Sequence, residues 1–192
     1  MALTMARSVS STVPDAVSVG SSDRSGLRVL FDVGHPAQVH LFRNAIAELE
    51  RRGHETFVTA REKEVTVDLL EAYGIDHRTL STRGESLPAL VGELLVREVR
   101  LFGEVRRFRP DVIVSRLGPV PAHASALSGS RYVAVSDTRI GRPLLRRFYR
   151  AVTLPFVDTI CVPESFQLPI PPEKRRPLDF QELAYLHPRY FQ

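Results

Sequence analysis

Residues 27–60, LRVLFDVGHPAQVHLFRNAIAELERRGHETFVTA, carry the pattern that decides the fold. The stretch begins with an almost unbroken apolar run, which is typical of a strand buried on both faces of a parallel sheet. Gly34 ends this run, Pro36 suits the first turn of an amphipathic helix, and Gly53 would end that helix. A second strand is expected over residues 54–60. Together these elements predict a right-handed βαβ unit, with the loop after its first strand at the ligand-binding edge of the sheet.

The same alternation of strands and helices continues along the chain. Apolar positions recur at helical spacing from Leu87 until Pro110, which predicts a long amphipathic helix packed on the sheet. The other predicted elements are a helix over 65–73, a strand over 75–80, a strand over 111–115, a helix over 121–127, a strand over 131–136, a helix over 142–156 and a strand over 159–162. This order predicts an α/β fold, a doubly wound, Rossmann-like parallel sheet of about six strands with helices on both faces.

Three segments of different character are predicted. Residues 1–26 are rich in serine and show no usable period, so a disordered N-terminal extension is expected there. Residues 27–162 would form one Rossmann-like lobe. Residues 163–192 begin with five prolines between positions 163 and 177, so we expect a linker that adds no strand to the sheet. The apolar, aromatic end of this segment resembles the start of an interlobe element, and a second lobe is expected to be absent.

The composition is that of an ordinary globular protein. The chain has 192 residues, of which 43% are hydrophobic and 25% charged, a size suited to one domain. No apolar run approaches the roughly 20 residues needed to cross a bilayer, and the N-terminus lacks the apolar segment of a secretion signal. Cys161 is the single cysteine, which excludes an intrachain disulfide and fits a reducing compartment. A cytoplasmic location is therefore expected.

The charge pattern gives little reason to expect a nucleic-acid partner. The formal net charge is only +4, and the arginines of residues 97–109 alternate with glutamates. This alternation favours a solvated helix face over a track for phosphates.

A second arginine-rich segment has a different pattern. Arg142, Arg146 and Arg150 share one face of a predicted helix that contains no acidic residue. Leu144, Leu145, Phe148 and Tyr149 lie beside them in sequence. A basic amphipathic helix of this kind can lie on anionic lipid, which would bring the protein peripherally to a membrane, or hold a phosphorylated partner. The alternative is a solvated or domain-facing helix.

The strand order of the predicted sheet places two loops in one crevice. In doubly wound sheets the order usually reverses between the first and fourth strands, so residues 34–40 and 116–121 should meet there. The first loop offers His35 and His40, together with backbone N–H groups at a helix start, where an anion is favoured. Histidine can also accept a proton near neutral pH. The alternative is that one histidine caps the helix or packs beneath the loop.

Other polar residues follow the remaining strands. Arg116 comes directly after the fourth strand and can clamp a phosphate or carboxylate, or form a surface ion pair. Asp137 follows the fifth strand, where the alternative is a helix N-cap. Arg61 ends the second strand and Glu164 follows the sixth, and both are candidates for substrate binding that more often have structural roles.

Two absent patterns narrow the chemistry. There is no G-x-G-x-x-G after the first strand and no P-loop, so a dinucleotide or nucleoside triphosphate is not expected in that loop. No spacing of His, Cys, Asp or Glu suggests a tetrahedral metal site. Neither a cofactor nor a metal is expected.

Three blocks of the chain resemble the DUF354 family of GT-B-like proteins. They are VGHPAQVHLFRNAIAELERRGHETFVTAREKEVTVDLLEAYGI, RFRPDVIVSRLGP and ELAYLHPRYF, in that order. The family is similar in plan to lipid-linked sugar transferases and nucleotide-sugar 2-epimerases, and the resemblance covers about residues 27–192. It implies the N-terminal, acceptor-side lobe of a GT-B-type glycosyltransferase or epimerase-like protein.

The resemblance also implies site residues and partners. It places His35, Pro36 and His40 in the loop after the first strand, and Arg61, Ser115, Arg116 and Asp137 after later strands, all facing an interlobe cleft. Gly34 and Glu164 complete the residues expected to bind substrate. His35 is the candidate general base, and His40 is the second candidate catalytic residue, which positions substrate with Arg116 and Asp137.

The expected partners are a nucleotide-sugar and a sugar or lipid-linked acceptor. The resemblance implies that most of the nucleotide-sugar donor would lie in a second lobe. By analogy with split sugar transferases, that lobe on a separate chain is a further expected partner. The alternative is a non-catalytic, truncated or split-gene subunit that binds a partner chain or a membrane surface.

Overall fold

The chain folds into a parallel sheet of seven strands. The computed structural model describes residues 25–190 except 83, 85, 138–142, 165–169 and 179–180. The strands are β1 (Arg28–Val33), β2 (Glu55–Glu62), β3 (His77–Thr82), β4 (Val112–Arg116), β5 (Arg131–Val135), β6 (Thr159–Pro163) and β7 (Arg175–Leu178). Their order is β3-β2-β1-β4-β5-β6-β7, and every pair is parallel. The predicted doubly wound α/β fold is therefore confirmed, with its reversal between β1 and β4.

The helices follow the strands as the alternation predicts. They are α1 (Pro36–Arg51), α2 (Thr66–Ala72), α3 (Leu87–Phe108), α4 (Pro119–Ser128), α5 (Pro143–Thr153) and α6 (Leu183–Leu186), with 3-10 turns at Leu154–Phe156, Pro172–Lys174 and Pro188–Tyr190. Helix α4 begins two residues before its predicted start because Pro119 fits the first turn of a helix. None of the described helices is long and apolar enough to cross a membrane.

Two helical layers cover the sheet. On one face, the side chains of α1 and α2 (Val39, Phe42, Ile46 and Leu70) pack with alternate residues of β1 and β2. On the other face, α3 and α4 contribute Leu101, Val105, Phe108 and Val120 to a cluster with Leu30, Ile113 and Tyr132. Alternate strand residues feed opposite faces, which is why the central strands read as continuous apolar runs.

The proline-rich segment corrects one prediction. It was expected to add no strand, but Arg175–Leu178 form β7 beside β6, with Pro177 aligned to Val162. Proline is compatible with an edge strand because only one side of that strand takes part in the ladder. The predicted disordered extension, residues 1–26, lies outside the described residues except for Ser25 and Gly26.

Helix α3 corrects a second prediction. Its arginines and glutamates were expected on a solvated face, yet the side chains of Arg97 and Glu104 are only 15% and 11% exposed. Arg97 reaches across to Asp32 of β1, and Glu104 pairs with Arg78 of β3. Arg97 and Glu104 therefore face the protein, whereas Arg106 and Arg107 of the same helix are exposed as predicted.

Candidate functional site

The carboxyl ends of β1, β4 and β5 open into a cleft of about 420 Å³. The cleft lies at the point where the strand order reverses, the usual position of ligand sites in such sheets. Its lining combines the start of α1, the ends of β4 and β5, and the segment that leads into α6. The lining residues are His35, Ala37, Gln38, Leu41, Arg116, Asp137, Gln181, Glu182 and Tyr185.

His35 occupies the N-cap position of α1. Its backbone is extended, with φ −159° and ψ 145°, and its Nδ1 accepts a hydrogen bond from the N–H of Ala37 at 3.2 Å. An imidazole nitrogen that accepts a hydrogen bond carries no proton, so the neutral ring has its proton on Nε2. In this capped state His35 is a hydrogen-bond donor toward its surroundings. The sequence-based alternative of a helix cap is thus present, although the ring also lines the cleft.

Gly34 and Gln38 complete the turn that leads into α1. The N–H of Gly34 donates to Oε1 of Gln38 at 2.6 Å. This bond links the end of β1 to the first turn of the helix, so it fixes the path of the loop. Pro36 begins α1.

His40 lies apart from His35. Its Nδ1 is 3.2 Å from the hydroxyl of Tyr73, and its ring is 6.2 Å from that of Tyr185. His40 is five positions after His35, and the rotation of the helix over these residues directs the two side chains to different sides. Of the two predicted catalytic histidines, only His35 therefore lines the cleft, while His40 contacts Tyr185, which also lines it.

Arg116, Asp137 and Gln181 form a hydrogen-bonded group in the cleft. Nη2 of Arg116 pairs with Oδ1 of Asp137, and Nη1 donates to Oε1 of Gln181 at 3.2 Å. Gln181 in turn donates through Nε2 to Oδ2 of Asp137. Burial lowers the pKa of Arg116, but it remains a cation at neutral pH. The predicted Arg116 and Asp137 are thus brought together as an ion pair.

Two tyrosines and Ser115 hold the backbone that carries Arg116. Ser115 and Tyr132 each donate a hydroxyl to the carbonyl of Arg116 at 2.8 Å, and Tyr149 donates to the carbonyl of Leu117. Burial raises the pKa of Tyr132 well above its ordinary value and that of Tyr149 to about 12, so both phenols stay protonated donors. Ser115 is 1% exposed and acts as a support for the end of β4.

A second, smaller pocket of about 220 Å³ lies on the α3 side of Arg116. Here Asp32 accepts bonds from Arg97 at 2.6 Å and from Thr59 at 3.0 Å. Arg61 also faces this pocket, and its guanidinium is paired with Glu93 of α3. Predicted residues Gly34, Arg61, Ser115 and Arg116 all line it.

The pKa of Glu93 reflects its ion pair with Arg61 and its other hydrogen bonds. Burial acts to raise this pKa, but hydrogen bonds from Arg61, the N–H of Gly84 and the hydroxyl of Ser81 hold it at about 2. Glu93 is therefore ionised at neutral pH. Arg61 serves first as its counter-ion.

Some predicted residues lie elsewhere. Glu164 is exposed and contacts the edge strand β7 through its backbone, whose N–H donates to the carbonyl of Leu178 at 3.2 Å. Neither Glu164 nor Pro36 lines the cleft or the smaller pocket. Arg142 lies outside the described residues. Within the described part of the chain, no group of three or more His, Cys, Asp and Glu side chains could hold a metal.

Sequence reasoning missed several residues of the site. Asp32 carried a signal, since a carboxylate within an apolar strand must find a partner when buried. Arg97 gave none, because its partner is 65 positions away in sequence. Gln181 and Glu182 were missed because their segment was interpreted as the start of an interlobe element.

No protein-family model matches the chain, and no curated protein matches it. Several solved structures share its fold. UDP-GlcNAc 2-epimerase from Neisseria meningitidis, solved bound to UDP-GlcNAc, is 15% identical with a TM-score of 0.59, over 79% of this chain and 46% of that chain. MurG from Acinetobacter baumannii is 14% identical with a TM-score of 0.60, over 80% of this chain and 45% of that chain.

HepE from Anabaena, solved in complex with UDP, is 16% identical with a TM-score of 0.60, over 80% of this chain and 44% of that chain. This chain thus spans less than half the length of each of these structures. At such identities the likeness concerns the fold. The chain accordingly has the Rossmann-like fold found in part of these GT-B-like proteins.

Proposed function

We propose that this chain forms the acceptor-side lobe of a two-lobed, GT-B-type enzyme that acts on a nucleotide-sugar, in the manner that the DUF354 resemblance implies. The observation that carries the proposal is the cleft at the β1/β4 switch, in which His35, Arg116 and Asp137 meet. The likeness to structures that hold UDP-GlcNAc, or UDP and glucose, supports the ligand class. A second lobe would supply most contacts to the donor.

Arg116 is the proposed anchor for an anionic group of the substrate. A guanidinium presents donors in a fork that matches phosphate and carboxylate. Here that fork is occupied by Asp137 and Gln181, two side chains that can turn outward when a substrate anion enters. The ion pair keeps the buried cation compensated until then.

His35 is the proposed general base toward an acceptor hydroxyl. To take up a proton it must release the hydrogen bond from Ala37, since Nδ1 is occupied in the capped state. A helix cap is worth about 1 kcal/mol. General base catalysis contributes roughly 10²–10⁴-fold, or about 3–5 kcal/mol. The cap is therefore a small obstacle to this role.

Glu182 offers a second proton acceptor in the same cleft. It is exposed on the cleft wall, and among the described residues no ion pair occupies its carboxylate. It can take the base role if His35 stays capped. The two assignments predict different variants to be inactive.

Isothermal titration of the full chain with UDP-GlcNAc and UDP-glucose tests the ligand class. We expect weak binding that falls at least tenfold in Arg116→Ala and is unchanged in Arg51→Ala, a surface arginine on α1. Equal binding by wild type and Arg116→Ala would contradict the assignment of the cleft. An absence of heat with both sugars would contradict donor recognition by this lobe alone.

The catalytic assignment is tested in the enzyme completed by a second lobe. His35→Asn keeps a good N-cap but no base, whereas His35→Ala loses both. We expect transfer or epimerisation to fall about 10²–10⁴-fold in both variants if His35 is the base. Activity retained in His35→Asn but lost in Glu182→Gln would instead assign the base to Glu182.

A second candidate function is a non-catalytic subunit that binds a partner chain. The exposed side chains of Leu183, Leu186 and Tyr190, which follow the cleft residues Gln181 and Glu182 in sequence, favour it. Light scattering of the chain with and without the candidate second lobe tests it, with Leu186→Gln as the interface variant. Complex formation with no turnover would support this function over the enzymatic one.

A further inference from the structure

The first half of α3 has its polar and apolar faces in unusual places. Glu93 and Arg97 point inward to partners on the sheet, whereas Val91, Leu95 and Val99 point outward and are 61%, 60% and 73% exposed. These three residues are spaced four apart, so they form one continuous stripe along the helix. A water-facing helix normally shows the opposite arrangement. The stripe therefore indicates a surface that meets an apolar medium or partner.

Helix α5 continues this surface within the same layer. Leu144 and Phe148 are 81% and 62% exposed and lie one turn apart. Its opposite face is anchored, since Tyr149 donates to the carbonyl of Leu117 and Thr153 is fully buried. The exposed apolar pair is thus a fixed feature of the folded layer.

A histidine of α4 joins the two helices. Nδ1 of His123 contacts Glu98 of α3, and Nε2 lies 2.8 Å from the carbonyl of Val152 in α5. His123 and the Glu98 side chain together therefore bridge α3 and α5. The helices that carry the two apolar stripes are thus neighbours in the same layer.

The exposed charges of α5 have one sign. Arg146, Arg147 and Arg150 are exposed on α5, which contains no acidic residue. In the first half of α3, Glu93 is paired with Arg61, and Glu98 contacts His123, which carries a charge only when it is protonated. Among the described residues of these two stretches, the exposed cations of α5 therefore outnumber the one partly exposed carboxylate, Glu98. Arg147 is the cation nearest to Leu144 and Phe148, since Arg146 and Arg150 lie farther round the helix.

We propose that this surface, the basic apolar face, docks on an anionic lipid bilayer. It consists of Val91, Leu95, Val99, Leu144, Phe148 and the three arginines of α5. Arginines attract anionic headgroups while the apolar side chains enter the headgroup and acyl boundary. A second copy of the chain is a poorer occupant, because a two-fold contact would set the same arginines against each other. The inference does not depend on the proposed enzymatic function.

Vesicle sedimentation with the full chain tests the proposal. Wild-type protein is expected to bind vesicles of equal phosphatidylglycerol and phosphatidylcholine, and to bind pure phosphatidylcholine at least about tenfold more weakly. Arg146→Gln/Arg150→Gln should reduce binding to the anionic vesicles at least about tenfold. The matched control, Arg51→Gln/Arg52→Gln on α1, should bind as wild type does.

The apolar contribution is tested with Leu95→Gln/Phe148→Gln. We expect this variant to lose most vesicle binding, whereas Val65→Gln, which changes an exposed apolar residue outside the basic apolar face, should retain it. Circular dichroism confirms that each variant is folded. Failure of wild type to bind anionic vesicles would overturn the proposal. So would concentration-dependent dimerisation that Leu95→Gln/Phe148→Gln abolishes, since a second copy would then occupy the face.

Discussion

The helical layers on the two faces of the sheet differ in what they turn outward. Helix α1 buries Val39, Phe42 and Ile46, and its last turns show the ion pair of Glu48 with Arg51 to solvent. The first half of α3 does the reverse, with Glu93 and Arg97 inward. A helix can therefore cover the same sheet with either face. We attribute the orientation of α3 to its buried polar partners at the sheet edge as well as to the apolar residues that it buries.

The inward charges of α3 are explained by charged residues at the ends of β1 and β2. The α3 side of the sheet edge carries Asp32 and Arg61, both at strand ends, and each requires an opposite charge when it is buried. Helix α3 supplies both partners one turn apart, at positions 97 and 93. Its apolar residues at intervening positions are left on the outside. The buried residues of α1 are the apolar Val39, Phe42 and Ile46, which need no charged partner.

The largest expected effect is at the Asp32–Arg97 pair. Removing one partner leaves a buried charge without compensation, so Asp32→Ala or Arg97→Ala should each lower the free energy of unfolding by about 3–5 kcal/mol. Urea denaturation measures this. The double variant Asp32→Leu/Arg97→Met should recover much of the loss, because both charges are gone. Strictly additive losses would mean that the pair does not orient α3.

The next effect compares two leucines of the same helix. Leu101 is fully buried, whereas Leu95 lies outward, so Leu101→Ala should cost about 2–5 kcal/mol through the lost burial and the cavity that remains. Leu95→Ala should change the free energy of unfolding by no more than about 0.5 kcal/mol. The two unfolding curves are directly comparable. Similar losses at both positions would show that Leu95 is covered in the free chain.

The pH dependence of stability compares two glutamates with similar pKa values. Glu93 has a pKa of about 2 when folded and an ordinary value of 4.5, so its stabilising contribution is present above pH 4.5 and is lost as the pH falls through about 2. The loss should reach at most about 3 kcal/mol. Urea denaturation between pH 7 and pH 2 should show a flatter profile for Glu93→Gln.

Glu48 is the control for that experiment. Its pKa is also about 2, because of hydrogen bonds from Arg51 and Arg52, but these partners are exposed and water screens them. Glu48→Gln should therefore flatten the profile less than Glu93→Gln does. If Glu48→Gln changed the pH dependence as much as Glu93→Gln or more, the buried pair of α3 would contribute no more to stability than the exposed pair of α1.

The smallest effect is at the N-cap of α1. His35→Ala should cost about 0.5–1 kcal/mol, and His35→Asn should restore most of it because asparagine is a preferred N-cap. Thermal unfolding followed by circular dichroism measures both. If His35→Asn is as unstable as His35→Ala, the bond to Ala37 contributes little and the ring is available for chemistry without loss of the cap.

Much of the fold could be predicted from local patterns. The apolar runs that become β1 and β4 and the helical spacing of α1 each depend on neighbouring residues, and all three were found where predicted. The strand at Arg175–Leu178 was not predicted, because a proline-containing stretch shows no strand period and is ordered only by pairing with β6.

The site was harder to predict than the fold. Arg116 and Asp137 were candidates because each directly follows a strand, and strand ends meet at one edge. His40 was a candidate through its place in the loop motif, but the turn of α1 directs it to Tyr73. Gln181 reaches the cleft only because the chain returns over α1, where Asn44 donates to the carbonyl of Ala184 at 2.7 Å.

The sequence by itself determined the order of strands and helices as far as β6, the parallel sheet and the edge at which polar residues gather, because these follow from periodicity and turn residues within short windows. Only the tertiary structure decided which polar residues pair. The physical reason is that a buried charge is stabilised by whatever opposite charge the packing brings within about 3 Å, however distant in sequence. Arg97 with Asp32, and Arg116 with Asp137, are such pairs.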